Sequence, residues 1–183
     1  AGPNPNSRYA QMPDDPNGIG KAAINKALDY IERASATESA LIQALRIFYD
    51  DEAIPDPDDR DLAYLSAMRA LNQQFPADPD IAALYAASYM SIRRWDYWDG
   101  AGEPKSETLQ VAAALEKIIE TDRTHPGVLH LHIHLIEASR HPERAMVSAN
   151  ALEATVPIAG HVVHMPAHIY IRVGDYDRAI ANN

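Results

Sequence analysis

Apolar residues recur roughly every three to four positions along most of the chain. Leu62, Leu65, Met68, Ala70 and Leu71 follow that spacing, and Leu109, Ala112, Ala113, Leu115, Ile118 and Ile119 repeat it. This is the period of an α-helix with one buried face. Ala and Leu are abundant and β-branched runs are scarce, which favours helix further. The pattern predicts helices over 17–34, 37–50, 58–75, 79–93, 105–121, 126–139, 142–155, 161–173 and 175–183. Residues 1–16, rich in Pro and Asn, read as a loop. Breaks fall at Ile54-Pro55-Asp56-Pro57, Phe75-Pro76, Asp78-Pro79, His125-Pro126, His141-Pro142 and Val156-Pro157. Proline suits a first helical turn and turns the residue before it away from helix. Thr37-Glu38-Ser39 and Ser106 are expected to open helices, and His141 to cap one. The longest connection, 95–104, holds Trp95, Tyr97 and Trp98. These rings are expected to pin it to the helices, with capping of a groove as the alternative.

Shifting the chain by 34 residues lays one segment on another. Glu143-Arg144-Ala145 falls on Asp177-Arg178-Ala179, Arg140-His141-Pro142 on Gly174-Asp175-Tyr176, His130 on His164 and His134 on His168. A helix-turn-helix unit of that length is the tetratricopeptide period. Gly174-x-Tyr176-x-x-Ala179 is similar to that family's signature at the turn and second helix. The expected fold is therefore all-α: roughly four tetratricopeptide-like hairpins stacked as a right-handed superhelix, or solenoid. The chain reads as a single domain over 1–183, with the clearest repeats at 124–157 and 158–183.

Longer strings carry a more specific resemblance. Trp95-Asp96-Tyr97-Trp98, His125-Pro126-Gly127 through His134, His141-Pro142-Glu143-Arg144-Ala145 and Gly160-His161-Val162-Val163-His164-Met165-Pro166-Ala167-His168 through Gly174 resemble a family of larger bacterial tetratricopeptide-repeat proteins. That family has no established activity. The resemblance implies that this chain is an internal piece of a longer member, and the ending in Ile180-Ala181-Asn182-Asn183 fits that expectation. It also implies that the first helix of each repeat lines a concave groove. His130, His134, Glu137, His164, His168 and Arg172 then match its ligand-facing positions.

Charge and composition narrow the partners. With 26 acidic and 16 basic residues the net charge is -10. That disfavours nucleic acid, whose phosphates need clustered Lys and Arg, and an anionic membrane surface. No run of 18 apolar residues would span a bilayer. With no cysteine there is no thiolate ligand, thiol nucleophile or disulfide, a composition compatible with cytoplasm or periplasm. Ala1-Gly2-Pro3-Asn4 shows no basic-then-apolar leader. The acidic residues Asp50-Asp51-Glu52 and Asp56 through Asp61 read as a solvated loop, with prolines and without the central glycine of a calcium loop.

The chemistry lies in the histidines. At 100° per residue His130, His134 and Glu137 share about 60° of one helix face. His161, His164 and His168 share a similar arc on the next repeat's helix. Adjacent helices pack about 8–10 Å apart, so both stripes can reach one ion, and imidazole with carboxylate suits zinc or copper. Pro166 could kink its helix and swing His161 and His164 away. His132 points to the opposite side and reads as packing. No zincin motif, nucleophile elbow or phosphate loop occurs. Two readings stand: a scaffold whose histidine-rich groove binds a protein segment or small polar ligand, and a transition-metal site on His130, His134, Glu137, His161, His164 and His168, with catalysis an open extension of the second.

Overall fold

The structure, a computed structural model, describes residues 16–155 and 159–183. The loop expected before Pro16 and the break at Val156-Pro157 lie outside the described residues. Among those residues every regular element is a helix: α1 (Pro16–Leu28), α2 (Ala36–Phe48), α3 (Pro57–Gln74), α4 (Pro79–Arg93), α5 (Thr108–Thr121), α6 (Pro126–Ile136), α7 (Met146–Leu152), α8 (Gly160–Val173) and α9 (Tyr176–Ala181). None is long and apolar enough to cross a membrane.

Capping chemistry explains most starts. Asp56, Asp78 and His125 each accept a hydrogen bond from a backbone N–H of the first turn, with proline following at once. An acceptor followed by a residue that needs no N–H partner satisfies the orphan donors of a helix start. Ser35 opens α2 through a reciprocal pair with Glu38, so the start lies earlier than Thr37. Several helices are also shorter than the periodicity predicts. α1 stops at Leu28 and is followed by a tight turn at Ile31–Arg33, α5 begins at Thr108, and 142–145 is a 3₁₀ turn before α7. Ser106 is left-handed, with φ 46°, and caps nothing. The side chain of His141 faces Glu143 at 2.9 Å instead of capping.

Packing follows from the alternation of faces. α4 packs on α6 and α6 on α8, while α5 and α7 lie against the helices on either side of them. The result is a row of α4, α6 and α8 backed by α5, α7 and α9. Between the rows sit Tyr89, Leu115, Leu129, Ile133, Met165, Ile169 and Tyr170, all essentially inaccessible. Each large apolar side chain buried this way contributes about 1.5–3 kcal/mol. Wedged among four helices, α6 is buried from Val128 to Ile136 apart from His130, and this brings its histidines inside the protein.

The 95–104 connection is held by two of its three large rings. Trp98 is buried and its indole N–H donates to the Leu135 carbonyl at 2.6 Å. Tyr97 is buried against Tyr89, and its carbonyl accepts from the Thr108 hydroxyl at 2.8 Å. Trp95 does not share that role, for it is 45% exposed. Arg94 and Trp95 have φ of 39° and 74°, a conformation large side chains seldom adopt. Pro166 is buried inside an unbroken α8.

Candidate metal centre

Two helices and one turn build the site. α6 presents His130 and His134 one turn apart, and Glu137 follows directly as its C-terminal cap residue. α8 presents His161, His164 and His168 from the adjacent helix of the same row. The structure brings together two sets of three donors, His130/His134/His161 and His134/Glu137/His168. Within each set one ligand atom per residue lies within 4.8 Å of the others. His134 belongs to both.

Glu137 organises the cluster. One oxygen lies 3.1 Å from Nδ1 of His134, and the other 2.5 Å from Nδ1 of His168. Burial would raise its pKa, but these two hydrogen bonds outweigh that and hold it at about 2. The carboxylate is therefore ionised at neutral pH and can only accept. Both Nδ1 atoms must carry the hydrogen, so in the neutral rings both Nε2 atoms carry lone pairs.

The consequence is sharpest at His134, which is 4% exposed. Its Nε2 is buried and has no hydrogen-bond partner. An unpaired buried polar atom costs about 1–3 kcal/mol. The rings of His130 and His161 stand 4.8 and 6.0 Å away, centroid to centroid. Nε2 of His130 lies 3.1 Å from Nε2 of His161. In a tetrahedral zinc site two nitrogens at 2.0–2.1 Å from the ion lie about 3.3 Å apart. Burial pushes His130 down to about 3, and the neighbouring imidazoles push the same way. His161 is lowered by burial too. Both rings are thus kept neutral, the form that coordinates.

Trp95 closes one side, its ring 4.7 Å from that of His134 and edge-on to it. Its paired left-handed residues are strain placed next to the cluster, a common companion of functional sites. The tryptophan was legible as a groove-capping candidate, but its separation from Trp98 was not.

The remaining expected residues fall outside the three-histidine set. His164 pairs with Nε2 of His168 at 2.9 Å and, through Nδ1, with Asn183 at 2.8 Å. Arg172 is exposed and reaches toward the Ser139 carbonyl at 3.4 Å. It joins neither donor set. Pro166 does not swing His161 away; His161 joins His130 and His134. His132, on the far side of α6, is fully buried between Ser148 at 2.8 Å and Glu116 at 3.4 Å. Asn183 was missed in the sequence, where nothing marks an asparagine after α9 as a histidine partner. No family model matches the chain, and neither a curated protein nor a solved structure matches it.

Proposed function

We propose that the chain binds a first-row transition metal ion, zinc or copper, through Nε2 of His130, His134 and His161. The observation that carries this is the buried, unpartnered Nε2 of His134, grouped with two further imidazoles. A metal ion turns that unsatisfied atom into a ligand. The Glu137 carboxylate on the opposite ring nitrogen supports the same reading, because histidines that ligate metals commonly donate their second N–H to a carboxylate, which fixes the ring and raises its basicity. Three imidazoles leave a fourth position for water or a bound ligand, the arrangement of catalytic zinc rather than of closed structural sites. We further propose that the scaffold is a tetratricopeptide-like solenoid. The 34-residue register between α6 and α8 and the side-by-side row of α4, α6 and α8 support it.

A groove that binds a protein segment or small polar ligand is the second reading. A cavity of about 340 Å³ between α8 and α9, with His164 and His168 in its wall, favours it. Metal analysis of tag-free protein, followed by calorimetric titration with zinc, separates the two. The metal reading expects a tight ion that His134→Ala abolishes. Native folded protein that binds no zinc or copper would sink it and leave the groove.

A further inference from the structure

We propose a second cation position at Nε2 of His164 and His168, coupled to the first through Glu137. It rests on the reading of Glu137 as an orienting carboxylate and deepens the metal-binding proposal.

The two sides of the carboxylate are related by the internal repeat. His130 and His134 stand one turn apart on α6, and His164 and His168 stand one turn apart on α8 at the matching register. What one oxygen of Glu137 does for His134, the other does for His168: each fixes the Nδ1–H tautomer and leaves the lone pair on Nε2.

On α8 the first histidine is constrained as well. Nδ1 of His164 lies 2.8 Å from Oδ1 of Asn183. An amide oxygen accepts, so Nδ1 donates and Nε2 of His164 is also a lone pair. The two Nε2 atoms are 2.9 Å apart. Two lone pairs at that distance repel unless a proton or a metal ion lies between them. Imidazole nitrogen suits zinc, copper or nickel, and the spacing is close to the roughly 3.3 Å edge of tetrahedral coordination.

Room for the remaining ligands is present. The cavity of about 340 Å³ opens over both rings, with Ala167, Ile171, Tyr176 and Ile180 among its walls. Two protein nitrogens and an open face make a weaker, exchangeable position than the three-histidine set. Water or a small anion completes it.

Equilibrium dialysis of the tag-free chain against zinc alone, at neutral pH, tests this. The expected result is two ions per chain, one tight and one weaker. His164→Gln with His168→Gln removes the weaker ion and keeps the tight one. His130→Gln with His161→Gln does the reverse. Glu137→Gln loosens both, by about 10–100-fold. Circular dichroism on each variant shows that helix content is retained. A single ion lost only with the His130/His161 pair overturns the second position and leaves the first. That result means a shared proton or a reversed Asn183 amide joins His164 to His168. A single ion lost only with the His164/His168 pair overturns the first position and leaves the second. A second ion that survives the His164/His168 variant, or no ion at all, overturns this proposal.

Discussion

The two sides of α6 bury histidines in opposite ways. On one side His132 is enclosed and served at both ring nitrogens, by Ser148 and by Glu116, which is itself held by Arg144. On the other side His134 is nearly as enclosed, yet one nitrogen is fixed by Glu137 and the other has no partner. Two residues apart on one helix, with the same chemistry and similar burial, they differ in satisfaction alone. A satisfied buried network adds to stability and specifies packing. An unsatisfied one lowers stability unless something binds. The lesson is to read buried histidines by what each nitrogen lacks, because burial and residue type do not separate them.

The contrast breaks most directly in metal affinity. His134→Ala is expected to weaken zinc binding by about a thousandfold, equivalent to about 4 kcal/mol, while His132→Ala leaves the affinity unchanged. Calorimetric titration of both variants checks it. Equal losses would mean that the two sides of α6 are not functionally distinct.

Stability should show the reverse order. His132→Ala opens a cavity and strands Ser148 and Glu116, at a cost of about 2–4 kcal/mol. His134→Leu removes the unpaired nitrogen together with the Nδ1–H donor to Glu137, whose other oxygen is still held by His168, and is expected to cost less, about 1 kcal/mol, in metal-free protein. Urea unfolding of the two variants gives the comparison. A larger loss for His134→Leu would contradict the unsatisfied state of its Nε2.

Acid sharpens the contrast through the metal-side groups. His130 is held at about 3 in the folded protein, against about 6.5 when unfolded. The unfolded chain therefore binds a proton that the folded chain refuses, and stability falls as pH drops from about 6.5 toward 3. Glu137, held at about 2, adds stability that is present above about 4.3 and lost as pH falls toward 2. Both act in the same direction. Metal-free protein is expected to lose on the order of 2–3 kcal/mol between pH 7 and pH 4. A His130→Asn variant should lose clearly less, and urea midpoints across that range measure the difference. Identical slopes would remove His130 as a cause.

The smallest expected effect concerns the connection after α4. Trp98→Phe deletes the indole donor to Leu135 and should cost about 1 kcal/mol. Trp95→Ala, at a partly exposed ring, should stay within about 0.5 kcal/mol. A larger cost for Trp95 than for Trp98 would reassign the anchor.

Much of this architecture was legible before folding was considered. Asp56-Pro57, Asp78-Pro79 and His125-Pro126 mark their helix starts through local chemistry alone, and apolar spacing placed the helices between them. The ends were less legible, because an apolar period continues past the last helical hydrogen bond, as at Leu28 and Ile136. The stripes His130/His134/Glu137 and His161/His164/His168 followed from helical geometry. Which members meet did not. His161 rather than His164 joins His130 and His134, because that choice depends on the depth and rotation at which α8 packs on α6.

The sequence by itself determined the helical class, most helix starts, the 34-residue register and the residue types available for chemistry. Each depends on contacts within a few residues or on a repeat visible along the chain. Only the tertiary structure decided that Glu137 would bridge two imidazoles from different helices, that Trp98 and not Trp95 would anchor the connection, and that Nε2 of His134 would be left without a partner. Those outcomes depend on ångström-scale placement of side chains far apart in sequence. Such placement is set by the packing of whole helices, and no local rule contains it.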